Sequence, residues 1–445
     1  MSRRVHFVAL GCPKNRVDTE RMAGLARRLG LELTGDPGQA DLIVVNTCGF
    51  ILPAKEESIE TVLELAQLKE HGPCRALVMA GCLPQRHAQE LAAQMPEVDH
   101  FIGTEDLPRL AEILVGGTAP RLCVSPPGAG PLLDAQYERE LTDSPHSTYL
   151  KIAEGCDRRC AFCVIPRIRG HQRSRTVASL LEEAAQLARW GVRELSLVAQ
   201  DSTAYGRDLS PPSTLADLLA HLAQIDQLCW IRVLYAYPTA VDLPLIQALA
   251  DLPRVVPYLD LPIQHVDDAV LRAMRRGHDG AQIRRLLDDL RRDLPGIFIR
   301  TTLISGHPGE TAQAHRALLD FVAGAELDHV GVFPFFAEEG TAAAEMSDQV
   351  PADVATERAD EVLALQRGIS RRRLARLRGA ELSVMVDGVS PQSEYLLQGR
   401  HPGQAPDVDG VVILTDCAGE LEPGDLVRAR VTDSGDHDLV ATPLL

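Results

Sequence analysis

The 445-residue sequence contains no run of the roughly 18 to 20 apolar residues that a membrane-crossing helix needs. Its first segment, MSRRVHFVALGC, has two arginines but too short an apolar stretch for a secretory signal before polar residues return. These two absences predict a cytoplasmic protein with no membrane partner. Positive charge is also scarce. Lys and Arg number 45 against 62 Asp and Glu, a formal net charge of −17, which argues against a whole-surface attraction to nucleic acid and leaves that role to local patches. There is no convincing internal repeat, and no low-complexity tract beyond one Pro- and Gly-rich connection. Cysteine, by contrast, is plentiful. Ten cysteines in a compartment where disulfides rarely persist point to metal or redox chemistry.

The length predicts two to four domains. Residues 1–116 alternate short apolar strands (VHFVAL at 5–10, DLIVVN at 41–46, ALVMA at 76–80) with amphipathic helical stretches. That βαβ pattern predicts a doubly wound parallel sheet. Residues 117–146 read as a linker. From 147 to 378 six strand candidates follow, at 148–154, 194–200, 230–237, 255–261, 297–305 and 329–336, with helices between most of them. Six β/α units predict a barrel or partial barrel, with an open sheet as the alternative. A long helix over about 353–378 leads to residues 379–445, whose short strands and turns predict a small, five-stranded all-β barrel.

The segment KIAEGCDRRCAFCVIPRIRG places Cys156, Cys160 and Cys163 at C-x3-C-x2-C spacing after the first barrel strand, on the edge where such folds carry chemistry. Three thiolates can hold three corners of an iron–sulfur cubane and leave one iron open. The alternative is zinc, with His171 as fourth ligand, although the spacing differs from the usual paired arrangement. Three further cysteines, Cys12, Cys48 and Cys82, each lie one or two residues past a predicted parallel strand. Strand C-termini of a parallel sheet share an edge, so these thiols can converge on a second cluster. Pro13 biases Cys12 toward an extended conformation, and Gly11, Thr47, Gly49 and Gly81 are small enough for backbone to approach a bulky inorganic group. Taken singly, each thiol also reads as an inert packed cysteine. Cys74 and Cys229 precede strands, Cys123 lies in the linker and Cys417 in the last module, so none of these four joins either triad.

The first motif resembles the radical S-adenosylmethionine (SAM) superfamily. LGCPKNRVDTE, NTCGFI, AGCLPQR, YLKIAEGCDRRCAFCVIPRIRGHQRSR and QDSTAYGRDL together resemble its methylthiotransferase family across essentially the whole chain. The resemblance implies an α/β architecture: an N-terminal doubly wound parallel sheet, a central radical-SAM partial (β/α)6 TIM barrel and a C-terminal TRAM-like β barrel. It implies two 4Fe-4S clusters, one on Cys12, Cys48 and Cys82, the other on Cys156, Cys160 and Cys163. SAM would bind the open iron of the latter, which yields a 5′-deoxyadenosyl radical. Phe162 resembles the aromatic residue near the adenine, and TTLISGHPGET, with Gly306, resembles the glycine-rich segment that approaches SAM. Gln200, Asp201, Gln264 and His265 sit at strand ends on the same edge and are candidates for lining the pocket, Gln200 also for contacting SAM. Arg167, Arg169, Arg173 and Arg175 are candidates for steering a carboxylate, or else are solvated. An external electron donor is implied. Two departures from the family pattern are VDTE where serine is common and His307 where phenylalanine is common.

Two substrates fit such a family, ribosomal protein uS12, free or on the ribosome, and tRNA adenosine. The tRNA branch carries a glutamine-bearing stretch where this chain has Pro13 and Lys14. Residues 380–445 hold twelve acids against three basic residues, Arg400, Arg428 and Arg430. Such a module repels phosphates and suits a basic protein, which favours an aspartate β-carbon of uS12 over direct tRNA binding. The Arg-rich end of the long helix, QRGISRRRLARLRG, is the opposing feature, with a solvated helix terminus as its plainer explanation. A non-enzymatic iron–sulfur carrier is the rival from another class.

Overall fold

A computed structural model of the chain describes residues 3–142, 144–417 and 421–444. Glu420, one of the twelve acids counted above, lies outside them.

The first sheet has six parallel strands, β1 (Arg4–Ala9), β2 (Glu32–Leu33), β3 (Leu42–Thr47), β4 (Ala76–Gly81), β5 (His100–Ile102) and β6 (Leu122–Cys123). Their order is β2-β1-β3-β4-β5-β6, so the winding direction reverses between β1 and β3. A crevice outside the strand C-termini forms at such a reversal, where ligands bind in open α/β sheets. Strand β6 comes from the segment read as a linker and pairs with β5 at Ile102↔Cys123. Every residue of β3 is buried, as expected for a central strand covered on both faces.

The central region opens with β7 (Ser147–Lys151) and a two-residue ribbon, β8 (Ala153–Glu154) with β9 (Arg173–Ser174). That ribbon closes the base of the loop carrying Cys156, Cys160 and Cys163. Strands β10 (Glu194–Val198), β11 (Trp230–Val233), β12 (Val255–Asp260), β13 (Phe298–Ser305) and β14 (His329–Pro334) complete a second six-stranded parallel sheet. Its order, β7-β10-β11-β12-β13-β14, follows the chain without reversal, and no closing pair joins β14 to β7 among the described residues. This is a partial barrel. One face packs on the helices through Leu150, Leu195, Leu197, Ile231, Leu259 and Leu303. The other face encloses Tyr149, Trp230 and Tyr258.

The last module is a closed barrel of β15 (Glu381–Ser390), β16 (Ser393–Arg400), β17 (Val412–Leu414), β18 (Leu426–Ser434) and β19 (Leu439–Pro443). It is not appended loosely. Its loop 401–409 plugs the partial barrel. The Tyr149 hydroxyl donates to Asp407 at 2.8 Å, the Tyr258 hydroxyl donates to Asp409 at 2.7 Å, and Arg232 donates to the Pro402 carbonyl at 2.7 Å.

Charge pairing changes the sequence-based reading of this module. Asp387 pairs with His146 and Arg400, Asp409 with Arg300, and Glu381 with Arg428 and Arg430. Asp436 and Asp433 meet Arg371 and Arg378 of the Arg-rich segment, while Arg373 pairs with Asp328. Much of the acidity, and much of the opposing basic cluster, is therefore spent within the chain. Counting charges along a sequence cannot reveal that cancellation.

Candidate functional site

The helix α1 (Pro13–Arg28) starts directly after Cys12, whose backbone is extended (φ −103°, ψ 165°) with Pro13 in the first turn. Cys48 follows β3 and Cys82 opens the helix after β4. The three thiols converge. Cys48 lies in the electrostatic field of both Cys82 and Cys12, and Asn15 ties the loops together by donating to the carbonyls of Leu10 and Thr47, each at 3.0 Å. Gly11 (φ +87°) is required here, because a Cβ would come within 2.7 Å of the Cys48 Cβ. The small residues do not, however, clear space for an inorganic group as expected. Gly49 abuts the Cys82 backbone, Gly81 abuts Asn46, and Thr47 donates to the Ala80 carbonyl, so they bring the three loops together.

The second triad lies on the loop between β8 and β9. Gly155 (φ +80°) makes the entry turn, and a Cβ there would strike the His171 carbonyl oxygen at 2.0 Å. Cys156 receives the Arg158 backbone N–H at 3.4 Å, and Arg276 donates to Cys160 Sγ at 3.3 Å. Asp201 accepts from the Arg158 side chain at 2.6 Å, so its role is to brace this loop. Tyr237 is stacked between the guanidiniums of Arg158 and Arg276, at 3.8 and 4.2 Å from its centroid. His171 is 95% exposed and pairs with Asp157 at 2.6 Å, an engagement that argues against the zinc arrangement.

All six cysteines are free thiols. Burial, then the neighbouring thiols, pushes Cys48 up to about 12. Burial likewise pushes Cys163 up to about 12 and Cys156 up to about 11. A metal centre that bound these thiols would displace their protons, and Arg169 against Cys82 (3.3 Å) and Arg276 against Cys160 would then offset the charge of the thiolates. The donor sets fit sulfur-ligated iron clusters.

One buried apolar cluster draws on both thiol loops. Val164, next to Cys163, packs with Ile168 on Cys82 and Phe50. Below them runs a buried ionic seam. Arg169 donates to Asp18 at 2.8 Å, Glu154 at 3.1 Å and Asn15 at 2.7 Å, while Lys151 donates to Asp18 and, at 2.7 Å, to Glu154. Burial opposes the charge on Glu154, but Arg169 and Lys151 hold its carboxyl well below the usual carboxylate range. Of the four candidate arginines, Arg169 and Arg175 are buried, Arg173 is partly buried and Arg167 is exposed, and each is engaged within the chain. Arg175 pairs with Glu183, Arg173 with Glu105, and Arg167 donates to the Gly340 carbonyl at 2.8 Å.

On the barrel edge, Gln200 donates to Glu154 at 2.9 Å, leaving its Oε1 without a partner. Gln264 Oε1, Ser305 Oγ and His307 Nε2 are also buried and unpartnered among the described residues. Such atoms are costly unless a ligand meets them. Phe162 meets His307 edge-on at 6.4 Å between centroids, and His307 meets Phe335 at 5.2 Å. Burial lowers His307 to about 4, so it is neutral. The Gly306 N–H is held by Glu310 at 2.5 Å, and a Cβ would lie 2.2 Å from the Ala355 Cβ, so Gly306 serves helix packing. His265 is fully buried, accepting the Asp267 N–H at 3.0 Å. Lys14, Arg158, Tyr235, Tyr237 and Arg276 were absent from the sequence-based candidates. Lone cations and tyrosines carry no spacing signal, although Lys14 stands inside a quoted motif.

Comparison with known proteins agrees with this anatomy. Residues 150–322 match the radical SAM superfamily, residues 379–444 the TRAM domain, and residues 4–103 Uncharacterized protein family UPF0004. The fold resembles the radical SAM methyltransferase TsrM from Kitasatospora setae, solved with cobalamin and a [4Fe-4S] cluster, with TM-score 0.56, 16% identity and 77% of each chain covered. Fold and thiol loop therefore define a radical SAM enzyme. The ribosomal protein uS12 methylthiotransferase RimO of Sorangium cellulosum is 49% identical over 445 residues, covering 99% of this chain and 90% of that one. Those of Anaeromyxobacter sp. strain K and Geobacter sulfurreducens are 50% and 48% identical, covering 99% and 98% of this chain and 93% and 98% of theirs. The chain belongs to the RimO family of methylthiotransferases.

Proposed function

We propose that the protein replaces a C–H bond with C–SCH3 on the β-carbon of an aspartate in ribosomal protein uS12. In this reading Cys156, Cys160 and Cys163 hold one 4Fe-4S cluster, and Cys12, Cys48 and Cys82 hold a second. The observation that carries it is one buried apolar cluster that joins Cys82 of the first triad to Val164, the chain neighbour of Cys163 in the second. A single substrate side chain can reach both sides of such a junction. The clusters and SAM, when bound, supply hydrogen abstraction and sulfur transfer. The chain's own residues bury Cys48, Cys82 and Cys156 and leave Cys12, Cys160 and Cys163 partly exposed, brace the Cys156 loop through Asp201 and Arg158, and gather Val164, Ile168 and Phe50 into one cluster with Cys82. The unpartnered oxygens of Gln200, Gln264 and Ser305 are suited to SAM's polar groups, and Phe162 to its adenine. Such an enzyme works in the cytoplasm. The substrate assignment rests on the family and no longer on net charge, given the internal pairing of the last module.

The test is to incubate anaerobically reconstituted enzyme with SAM, reductant, ribosomes and bulk tRNA, then weigh the products. Methylthio mass on an aspartate of uS12 supports the reading. The same mass on tRNA adenosine, or cleavage of SAM with neither product, overturns it.

A further inference from the structure

Buried cations in this protein usually face carboxylates: Arg139 meets Glu20, Lys151 and Arg169 meet Asp18, Arg232 and Arg400 meet Glu194. Lys14 and Arg276, 8% and 4% exposed, pair with no carboxylate among the described residues. Arg276 donates instead to Cys160 Sγ at 3.3 Å and to the Pro262 carbonyl at 2.5 Å. Lys14 is different. Its Nζ sits 3.4 Å from the centre of the Tyr235 ring, in the field of the Cys12 thiol two residues earlier. An aromatic face returns only part of what an ammonium loses on leaving water. Tyr235 is itself unusual, a bulky residue at φ +61°. The barrel holds it there, because its N–H donates to Asp260 at 3.0 Å and its carbonyl accepts from the Ser202 N–H at 3.0 Å. Strain of this kind persists where surrounding structure over-determines it, often at binding sites. Cys12 and Tyr235, which flank Lys14, are both half-buried and keep part of their surface in contact with solvent.

We propose that Lys14 is the counter-ion for the side-chain carboxylate of the substrate aspartate. The inference rests on the reading above, in which the substrate is an aspartate of uS12. The β-carbon of aspartate is bonded to the carboxylate carbon. Holding that carboxylate on Lys14, between Cys12 of the first triad and Tyr235 of the barrel, therefore brings the reacting carbon to the seam. A site built for a buried ion pair also rejects the neutral amide, which would leave the ammonium unpaired. The competing role, offsetting thiolate charge at Cys12 as Arg276 does at Cys160, makes no distinction between acid and amide substrates.

The experiment uses reconstituted holoenzyme and whole uS12, first mapping the modified aspartate by mass spectrometry and then preparing uS12 with asparagine at that position. Binding of both forms is measured for wild type, Lys14→Arg and Lys14→Met, alongside iron content and the cluster EPR spectrum. Wild type is expected to bind the aspartate form roughly 10- to 100-fold more tightly. Lys14→Met should bind both forms equally, at the asparagine level, with iron and EPR unchanged, and Lys14→Arg should keep part of the preference. A Lys14→Met enzyme that retains the preference, or weakens both forms alike, overturns the proposal. So does a wild-type preference below roughly threefold, which needs no variant to fold. If wild type leaves uS12 unmodified, the functional reading falls and the proposal with it; modified uS12 with an undiminished preference in Lys14→Met sinks the proposal alone.

Discussion

Arg169→Gln is expected to loosen the joint between the first domain and the barrel. In the wild type two cations, Lys151 and Arg169, balance two carboxylates, Asp18 and Glu154, all at most 7% exposed. The substitution leaves one buried carboxylate without a counter-charge, and also removes donors to Asn15 and Cys82. Breaking a buried ionic group in this way costs about 3–5 kcal/mol. That is a large share of a stability of order 5–15 kcal/mol. For a domain of this size it corresponds to a melting shift of roughly 6–20 °C. Thermal melting by near-UV circular dichroism, with limited proteolysis between residues 117 and 146, reads the effect. The double variant Asp18→Asn/Arg169→Gln restores charge balance and should recover roughly half of the loss. If Arg169→Gln melts with the wild type, or the double variant melts below it, the ionic account of the seam is wrong.

Other expectations follow from the same geometry. Glu154 and Glu183 are held below the ordinary carboxylate range by the cations around them, despite burial. Their stabilisation is therefore complete above the unfolded value of about 4.3 and is lost as pH falls below it, so the seam should survive pH 5 and open under stronger acid; hydrogen exchange of α1 against pH checks this. Cys48→Ala and Cys160→Ala should each leave about half of the iron, roughly four of eight atoms per chain; a variant that loses all or none contradicts two independent clusters. Asp409→Asn weakens the plug that holds Tyr258 at 2.7 Å and the Ala405 N–H at 2.8 Å, costing about 1–3 kcal/mol. Faster proteolysis within 401–411 would report it, and unchanged cleavage would show the loop is held by other contacts.

What could be read from the sequence was whatever has a period or a spacing. VHFVAL, DLIVVN and ALVMA became β1, β3 and β4 within a residue or two, because a buried parallel strand is a continuous apolar run. Cys12, Cys48 and Cys82 were singled out by their common place after those strands, which the structure keeps at the ends of β1, β3 and β4. The short strands β2, β5 and β6 escaped, since two or three residues carry no periodicity. The larger omissions were in pairing. Asn15, Asp18, Glu20 and Arg21 on α1 look like a solvated helix face in sequence, yet all four are buried against the barrel. Their partners, Arg139, Lys151, Glu183 and Arg169, come from more than a hundred residues away. The acidity of the last module pointed to the substrate named in its relatives, but its free charge was overcounted for the same reason, because Asp387, Asp409 and Asp433 find their cations only on folding.

The central claim is that the two triads form one active site and not two separate ones. The direct measurement is EPR of the reduced holoenzyme compared with two variants, one with Cys12, Cys48 and Cys82 replaced by alanine, the other with Cys156, Cys160 and Cys163 replaced. Clusters facing one another across the seam should interact magnetically, so the wild-type spectrum should be broadened or split relative to the sum of the two single-cluster spectra. A wild-type spectrum equal to that sum would mean that the clusters do not share a site.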